Sequence, residues 1–403
     1  VTDIYRAVKL TDKVFWVGAI DWTIRDFHGY KTPRGSTYNA YLIMADKITL
    51  VDTVKAPFRD ELVGRISSVV NPRDIQLIVS NHSEMDHSGC LPEMIRMIAP
   101  EQVVASPMGA KTLGKIFPAG LNIKAVKDGE KLSLGNMNLQ FMETRMLHWP
   151  DSMFSYLPEE EILFSQDAFG MHLATAERFD DEIDPAVLAY EGATYFANII
   201  LPYAPLVTKL LARVAAAGIN CKYIAPDHGP IWRRDIPGVI SRYDCWAAQR
   251  PTRKAVVVYG TMWHSTELMA RALSEGLAAA GAAVKCMSMD VFHRSDVAYE
   301  ILDAGALVVG SSTLNNNMLP QMADVTTYLK GLRPANLIGA AFGSYGWSGE
   351  APAHLADILK EMKIDNVAAP LKVQHVPGEE ELRRCYALGE EIARQLKDYK
   401  EVV

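Results

Sequence analysis

The first 250 residues alternate short apolar runs with turn-forming stretches, and the last 150 alternate apolar runs with amphipathic ones. Early in the chain VFWVG, NAYLIM and ITLVD have the length and the β-branched and aromatic content of strands. QLIVS is apolar throughout and predicts a buried strand ending at residue 80, while LQFMET, EILFSQ and KYIAP predict three more. Near AAQRPTRK (247–254) charges and a proline break the pattern, and KAVVVYG then opens a new series. The order becomes strand VVVYG, helix TELMARALSEGLAAAG, strand VKCMSM, helix, strand ALVVGSS, helix, strand LIGAAFGS, helix APAHLADILKEM. Strand LKVQHV and helix EELRRCYALGEEIARQL complete it. Five βα units in succession predict a doubly wound parallel sheet. The chain therefore reads as two α/β domains, 1–250 and 251–403, with no internal repeat.

Composition narrows the class. At 403 residues the chain is long enough for two cores, and 49% hydrophobic with 22% charged residues is ordinary for a globular protein. A formal charge of −7 argues against nucleic acid as the main partner, since phosphate binding favours a basic face. The five cysteines are scattered and never paired as C-x-x-C, which points to a reducing cytoplasm and leaves no rubredoxin-type cysteine site. The N-terminal VTDIYRAVKL lacks the apolar stretch of a signal peptide, and no later run is expected to approach a membrane span.

The densest chemistry is NHSEMDHSG (81–89), at the end of the predicted QLIVS strand, where α/β folds place ligands. His82 and Glu84 are two apart and share a face of an extended segment. Asp86 and His87 are adjacent, so the chain is expected to turn there, with Gly89 permitting the turn. One metal does not easily take all four side chains from so short a loop, whereas two metals can. Further candidates follow other predicted strands: His148 in RMLHWPDS, Asp167 in FSQDAFG and His228 in PDHGP. Each histidine alone would read as a hydrogen-bonded structural residue; the H-x-E-x-D-H order is what points to metal. The pattern resembles the metallo-β-lactamase fold, whose dizinc hydrolases carry H-x-H-x-D-H, with Glu84 standing here for the second histidine. Four imidazoles and three carboxylates suit zinc, but the added oxygen donor also suits iron and redox work.

The second half adds a loop chemistry of its own. In VVYGTMWHSTELMA, residues Thr261, Met262, Trp263, His264, Ser265 and Thr266 join a strand to a helix, where hydroxyls and backbone N–H groups cradle phosphate. The loop is neither G-x-G-x-x-G nor a P-loop, and it resembles the phosphate loop of flavodoxins. SSTLNNNMLP and GSYGWSGE follow later strands at the same edge. They offer Ser311, Thr313, Leu314, Asn315 and Asn316, then Ser344, Tyr345, Gly346, Trp347 and Gly349, as contacts for a flavin mononucleotide (FMN).

A lactamase-like half with H-x-E-x-D-H followed by a flavodoxin-like half resembles the flavodiiron proteins (A-type flavoproteins) over the full length. VGAIDW, RDFHGY, ETRMLHWPDSM, LPYAP and AFGSYGWSGE are similar to the rubredoxin-dependent members of sulfate-reducing bacteria. The resemblance implies a metallo-β-lactamase-like αββα sandwich followed by a flavodoxin-like doubly wound sheet. It implies a diiron centre with one iron on His82, Glu84 and His148, the other on Asp86, His87 and His228, and Asp167 bridging. His28 in DFHGY and Tyr195 in ATYFAN match catalytic positions near the open face of the irons. The implied activity is reduction of dioxygen to water, of nitric oxide to nitrous oxide, or both. Electrons would come from a separate rubredoxin through FMN, in a head-to-tail homodimer or a dimer of dimers. A dizinc hydrolase and a flavin electron carrier with a structural metal are the competing readings.

Overall fold

The computed structural model describes residues 4–117 and 120–396, so the extreme ends of the two sequence-read domains (1–3 and 397–403) lie outside the described residues. The chain forms two units. The first comprises Val1–His28, Thr32–Tyr195 and Pro205–Asp244, and the second Gly29–Lys31, Phe196–Ala204 and Cys245–Val403. The short segments of the second unit are tied in by polar contacts. Arg294 Nε donates to the Gly29 carbonyl at 2.9 Å, and the Tyr328 hydroxyl to Asn198 Oδ1 at 2.7 Å.

The first unit is built on two sheets. The seven-stranded one contains β1 (Val8–Lys9), β2 (Val14–Trp16), β3 (Tyr41–Ile43), β4 (Thr49–Val51), β5 (Leu77–Ser80), β6 (Gln102–Ala105) and β7 (Ile123–Ala125), in that spatial order. Pairing is antiparallel as far as β4 and parallel beyond it. The five-stranded sheet runs β8 (Lys131–Ser133), β9 (Asn138–Glu143), β10 (Met153–Leu157), β11 (Ile162–Gln166) and β12 (Tyr223–Pro226), with only the last pair parallel. Alternation along the strands sends Trp16, Tyr41, Ile43, Val51, Leu77 and Val79 from one sheet to meet Leu139, Phe141, Met153 and Phe164 from the other. The opposite face of the larger sheet buries Leu42, Leu50 and Ile78 against helices α1 (Arg59–Ser67), α3 (Leu91–Ile98) and α4 (Pro107–Ile116); the short α2 (Met85–Ser88) lies between the first two. Strands β4, β5, β9, β11 and β12 all end at one edge, which gathers the loops that follow them.

Helices α5 (Pro185–Tyr195), α6 (Ala204–Ala216) and α7 (Ile236–Ala248) complete the first half of the chain. Residues 185–216 form one continuous helical run that passes from α-helix through a π turn (Phe196–Ile200) and a 3-10 turn (Leu201–Tyr203) back to α-helix. This 32-residue run contains an 18-residue window of mean hydropathy 1.5, of which 33% is buried, and on length and composition it is apolar enough to cross a membrane, contrary to the sequence expectation. Its centre is nonetheless part of a folded interior: every residue from Glu191 to Leu201 is buried, including the Glu191 carboxyl.

The second unit is a parallel sheet of β13 (Lys254–Gly260), β14 (Ala283–Ser288), β15 (Ala306–Ser311), β16 (Ile338–Tyr345) and β17 (Leu371–Gln374), in the order β14-β13-β15-β16-β17. Five helices alternate with them: α8 (Ser265–Ala279), α9 (Arg294–Ile301), α10 (Pro320–Leu332), α11 (Ala351–Glu361) and α12 (Glu379–Gln395). The apolar runs AVVVYG and ALVVGS are buried along their whole length because helices cover both faces of a parallel sheet.

Candidate functional site

His82 and Glu84 leave β5 in extended conformation, with Glu84 at the N-cap of α2. Asp86 and His87 then lie on α2 itself. The turn expected at this point is thus a helical turn, and Gly89 serves it differently from the sequence reading. Its φ of −58° is right-handed, but a Cβ there would sit 2.4 Å from the Met85 carbonyl oxygen and 2.8 Å from the Ala56 nitrogen, so only glycine lets these backbones close. The start of the loop is tied to β4: Asn81 donates from its backbone and side-chain nitrogens to Asp52 at 2.7 and 2.8 Å. The hydroxyl of Thr53 donates to the His87 carbonyl at 2.5 Å.

His148 follows β9, Asp167 follows β11 and His228 follows β12, and the fold draws all seven sequence-named candidates together in two groups. His82, Glu84, His148 and Asp167 hold their ligand atoms within 4.8 Å of one another, as do Asp86, His87 and His228. Asp167 faces both. Its Oδ2 is 3.3 Å from His82 Nε2 and 3.1 Å from His148 Nε2, while its Oδ1 is 3.2 Å from His87 Nε2 and 3.5 Å from His228 Nε2. Glu84 Oε2 stands 3.2 and 3.1 Å from the Nε2 atoms of His82 and His148. Asp86 stands 3.3 and 3.1 Å from those of His87 and His228. All four imidazoles therefore turn Nε2 inward.

Both oxygens of Asp86, both oxygens of Asp167 and both nitrogens of His87 are buried without a hydrogen-bond partner. Buried polar atoms are normally satisfied; five of these, the four carboxylate oxygens and His87 Nε2, converge in one place and fit cations as their missing partners. Burial opposes charge on Glu84, Asp86 and Asp167, yet the neighbouring imidazoles prevail and hold all three below the usual carboxylate range.

Around this set, His28 Nε2 lies 2.5 Å from Glu84 Oε1 on a half-exposed side chain. Tyr195 is buried, its ring 5.2 Å from that of His172 and 6.2 Å from that of His228. Sequence reading passed over His172, which is buried 4.5 Å from the His228 ring with Ser36 Oγ 2.7 Å from its Nδ1. It also passed over two buried carboxylates, Asp151 beside His82 and Asp227 beside His87. Burial opposes charge on Asp151, but hydrogen bonds from His82 and Ser83 outweigh it and hold the group low; burial and the nearby Asp52 push Asp227 well up. The sequence did offer a signal: each sits within three residues of a candidate histidine, in HWPDS and PDHGP. A cavity of about 420 Å³ opens onto Glu84 and Asp86 between Phe27, Ala56, Pro57 and Met85, with His28 and Lys55 at its edge.

In the second unit, a cavity of about 320 Å³ lies at the C-terminal edge of the sheet. Ten of the sequence-named residues line it: Met262, Trp263, Ser265, Thr313, Leu314, Asn315, Ser344, Tyr345, Gly346 and Trp347. Ser312 and His375 line it as well and were missed. Thr266, behind the wall, brings its hydroxyl to 2.9 Å from Ser312 Oγ and 2.8 Å from Ser344 Oγ. Ser311 turns its hydroxyl to the Ser312 carbonyl and receives the Leu319 amide. The Thr261 hydroxyl is buried without a partner. Asn315 and Asn316 both have positive φ and form the two-residue turn of a hairpin (Thr313–Leu314 with Asn317–Met318), which accounts for the asparagine run. His264, also at positive φ, caps α8 and turns Nδ1 to Glu267 at 2.7 Å, away from the cavity lining. Gly349 packs under the Tyr345 ring rather than lining the cavity. Trp263 and Trp347 stand 84% and 90% exposed at the rim.

Residues 37–229 match the ODP family of β-lactamases and residues 257–389 match flavodoxin. The nitric oxide reductase of Moorella thermoacetica is 46% identical over 98% of this chain and all of that one. Among solved structures, rubredoxin oxygen:oxidoreductase from Desulfovibrio gigas superposes with a TM-score of 0.96 at 45% identity, over 97% of this chain and 98% of that one. The flavodiiron protein from Giardia intestinalis superposes at 0.93 with 33% identity, over 96% of each chain. The chain belongs to the flavodiiron proteins. In this flavodiiron protein the expected fold class is borne out in both halves, a metallo-β-lactamase-like unit and a flavodoxin-like one.

Proposed function

We propose that this flavodiiron protein is an oxidoreductase that reduces dioxygen to water, nitric oxide to nitrous oxide, or both, at a non-haem diiron centre supplied through FMN by rubredoxin. The observation that carries the reading is the sharing of Asp167 between two histidine groups, in a chain that also carries a flavodoxin-like cavity. His82, Glu84 and His148 would hold one iron, Asp86, His87 and His228 the other, and Asp167 both. The two irons and the flavin, when bound, supply the electron-transfer chemistry.

The chain's own residues supply access, protons and placement. Phe27, Ala56, Pro57 and Met85 make an apolar approach to Glu84 and Asp86, which favours an uncharged diatomic gas over ions. His28, in contact with Glu84 and open to solvent, is placed to pass protons inward, and the buried Tyr195, its ring 6.2 Å from that of His228, to donate a hydrogen bond on that histidine's side. In the second unit Ser265 would take the flavin phosphate together with the backbone and the buried hydroxyl of Thr261, Thr266 would brace Ser312 and Ser344 from behind, and Tyr345, Trp347 and Trp263 would take the ring, with the other cavity residues named above around them. The functional domains are proposed to follow the sequence limits 1–250 and 251–403. A head-to-tail homodimer would place one chain's flavin beside its partner's irons; the exposed Trp22 and Met85 of the first unit, and Met262, Trp263 and Trp347 of the second, give such an interface apolar anchors. The reducing cytoplasm suits five free cysteines.

Anaerobically purified protein is expected to carry two irons and one FMN per chain and to consume dioxygen or nitric oxide when mixed with reduced rubredoxin. Zinc in place of iron with no flavin, or no gas consumption by a protein loaded with both, overturns the assignment.

A further inference from the structure

Three of the four histidines at the centre have an oxygen acceptor behind Nδ1, and the three acceptors differ. Behind His82 stands the Asp151 carboxylate, with Oδ2 3.1 Å from Nδ1. Behind His228 stands a neutral carbonyl, that of Thr37, at 2.6 Å. Behind His87 stands Asp227, with Oδ2 at 3.5 Å, too far for an effective hydrogen bond.

Asp151 is held from two sides. Its Oδ2 also accepts the Ser83 backbone N–H at 2.6 Å, and its own carbonyl accepts the Ser106 hydroxyl at 2.7 Å. Ser106 in turn caps α4 through the Gly109 N–H at 2.9 Å. The carboxylate is 1% exposed and fixed to both the metal loop and a helix start, so it cannot swing away from His82. With Nδ1–H committed to Asp151, the His82 ring must present the lone pair of Nε2 to Glu84 and Asp167, the side where a cation would lie. A charged acceptor makes an imidazole a stronger donor to a cation than a carbonyl or a distant carboxylate does.

We propose that Asp151 is a positioning residue that fixes the His82 ring and makes the two halves of the centre unequal. The half held by His82, Glu84 and His148 retains its metal more tightly than the half held by Asp86, His87 and His228. This inference rests on the ligand assignment given under the proposed function.

The test uses the iron-loaded, flavin-loaded protein and three variants. Asp151→Asn keeps the acceptor and removes the charge, Asp151→Ala removes both, and Asp227→Asn serves as the comparison. Iron release to a chelator is followed in time, together with the midpoint potentials of the iron centre and of the flavin. In the parent protein two release phases are expected. Asp151→Asn should weaken iron binding in the slow phase by about 10–100-fold, so that the two phases merge, and shift the iron potential while the flavin potential stays put. Asp227→Asn should alter release less. Parent-like release and potentials in Asp151→Asn, or a larger effect from Asp227→Asn, overturn the inference while leaving the ligand assignment intact. A parent protein that never takes up two irons overturns the assignment itself and the inference with it.

Discussion

Asp167 and Glu191 are both buried carboxyls, and their neighbours drive them in opposite directions. Asp167 has four imidazoles around it and is held well below its ordinary range despite full burial. Asp167→Ala would leave two histidine groups with no shared oxygen. Less than one iron per chain is expected by metal analysis, with gas turnover down by ~100-fold or more, because a bound metal contributes several kcal/mol to a barrier. Glu191 faces the half-exposed Arg34, with Nε 3.0 Å from its Oε1; burial outweighs that ion pair and pushes the carboxyl up to about 7. Its folded value lies above the unfolded one, so folding favours the protonated form. That contribution is complete below pH ~4.5 and is lost as pH rises through about 7, up to ~3 kcal/mol in all. Glu191→Gln should therefore flatten the fall in the thermal midpoint between pH 5 and 7; an unchanged slope in that window would remove Glu191 as its cause.

At the scale of elements, close approach matters more than propensity. Helices α8 and α12 pack against each other through Gly389, where a Cβ would lie 2.1 Å from the Leu273 carbonyl oxygen and 2.8 Å from the Leu277 nitrogen. Gly389→Ala raises local helix propensity yet should destabilise the flavodoxin-like unit by ~1–3 kcal/mol, since overpacking a backbone contact has no side chain to move aside. Flavin fluorescence during heating reports this directly, as earlier FMN release; release at the parent temperature would show that the helices can separate at little cost. The helical run 185–216 teaches a related lesson. Its π turn at Phe196–Ile200 begins immediately after Tyr195, and π turns commonly mark functional sites because they re-aim side chains. Hydropathy registers the apolar content of this run but not the change of helical pitch inside it.

For the whole molecule, the decisive prediction concerns assembly. If the partner chain's flavin feeds the irons, turnover per chain must fall when dilution separates the protomers, even though each chain still carries iron and FMN. A dilution series read by gas consumption and by sedimentation should show both falling together. Full turnover by a folded monomer would refute the head-to-tail dimer. Glu191→Gln or Gly389→Ala would not mimic this result, because neither effect depends on protein concentration.

Chain order alone determined the two α/β halves, since a period-2 or fully apolar run followed by an amphipathic one can be satisfied by few architectures. The metal candidates were equally legible: seven donors in short motifs after strands are chemically distinctive wherever the chain puts them. Tertiary structure decided what depends on distances between remote segments. It divided the donors into two groups with Asp167 facing both, and it set Asp151 behind His82 and Asp227 behind His87. It also brought His172 against His228 and added Ser312 and His375 to the lining of the second unit's cavity. A lone aspartate or histidine in a loop looks the same in sequence whether it meets water or an imidazole. Gly89 makes the same point about the backbone: the sequence shows a residue able to turn, while the fold shows that what it supplies is the absence of a Cβ, which would lie 2.4 Å from the Met85 carbonyl oxygen and 2.8 Å from the Ala56 nitrogen.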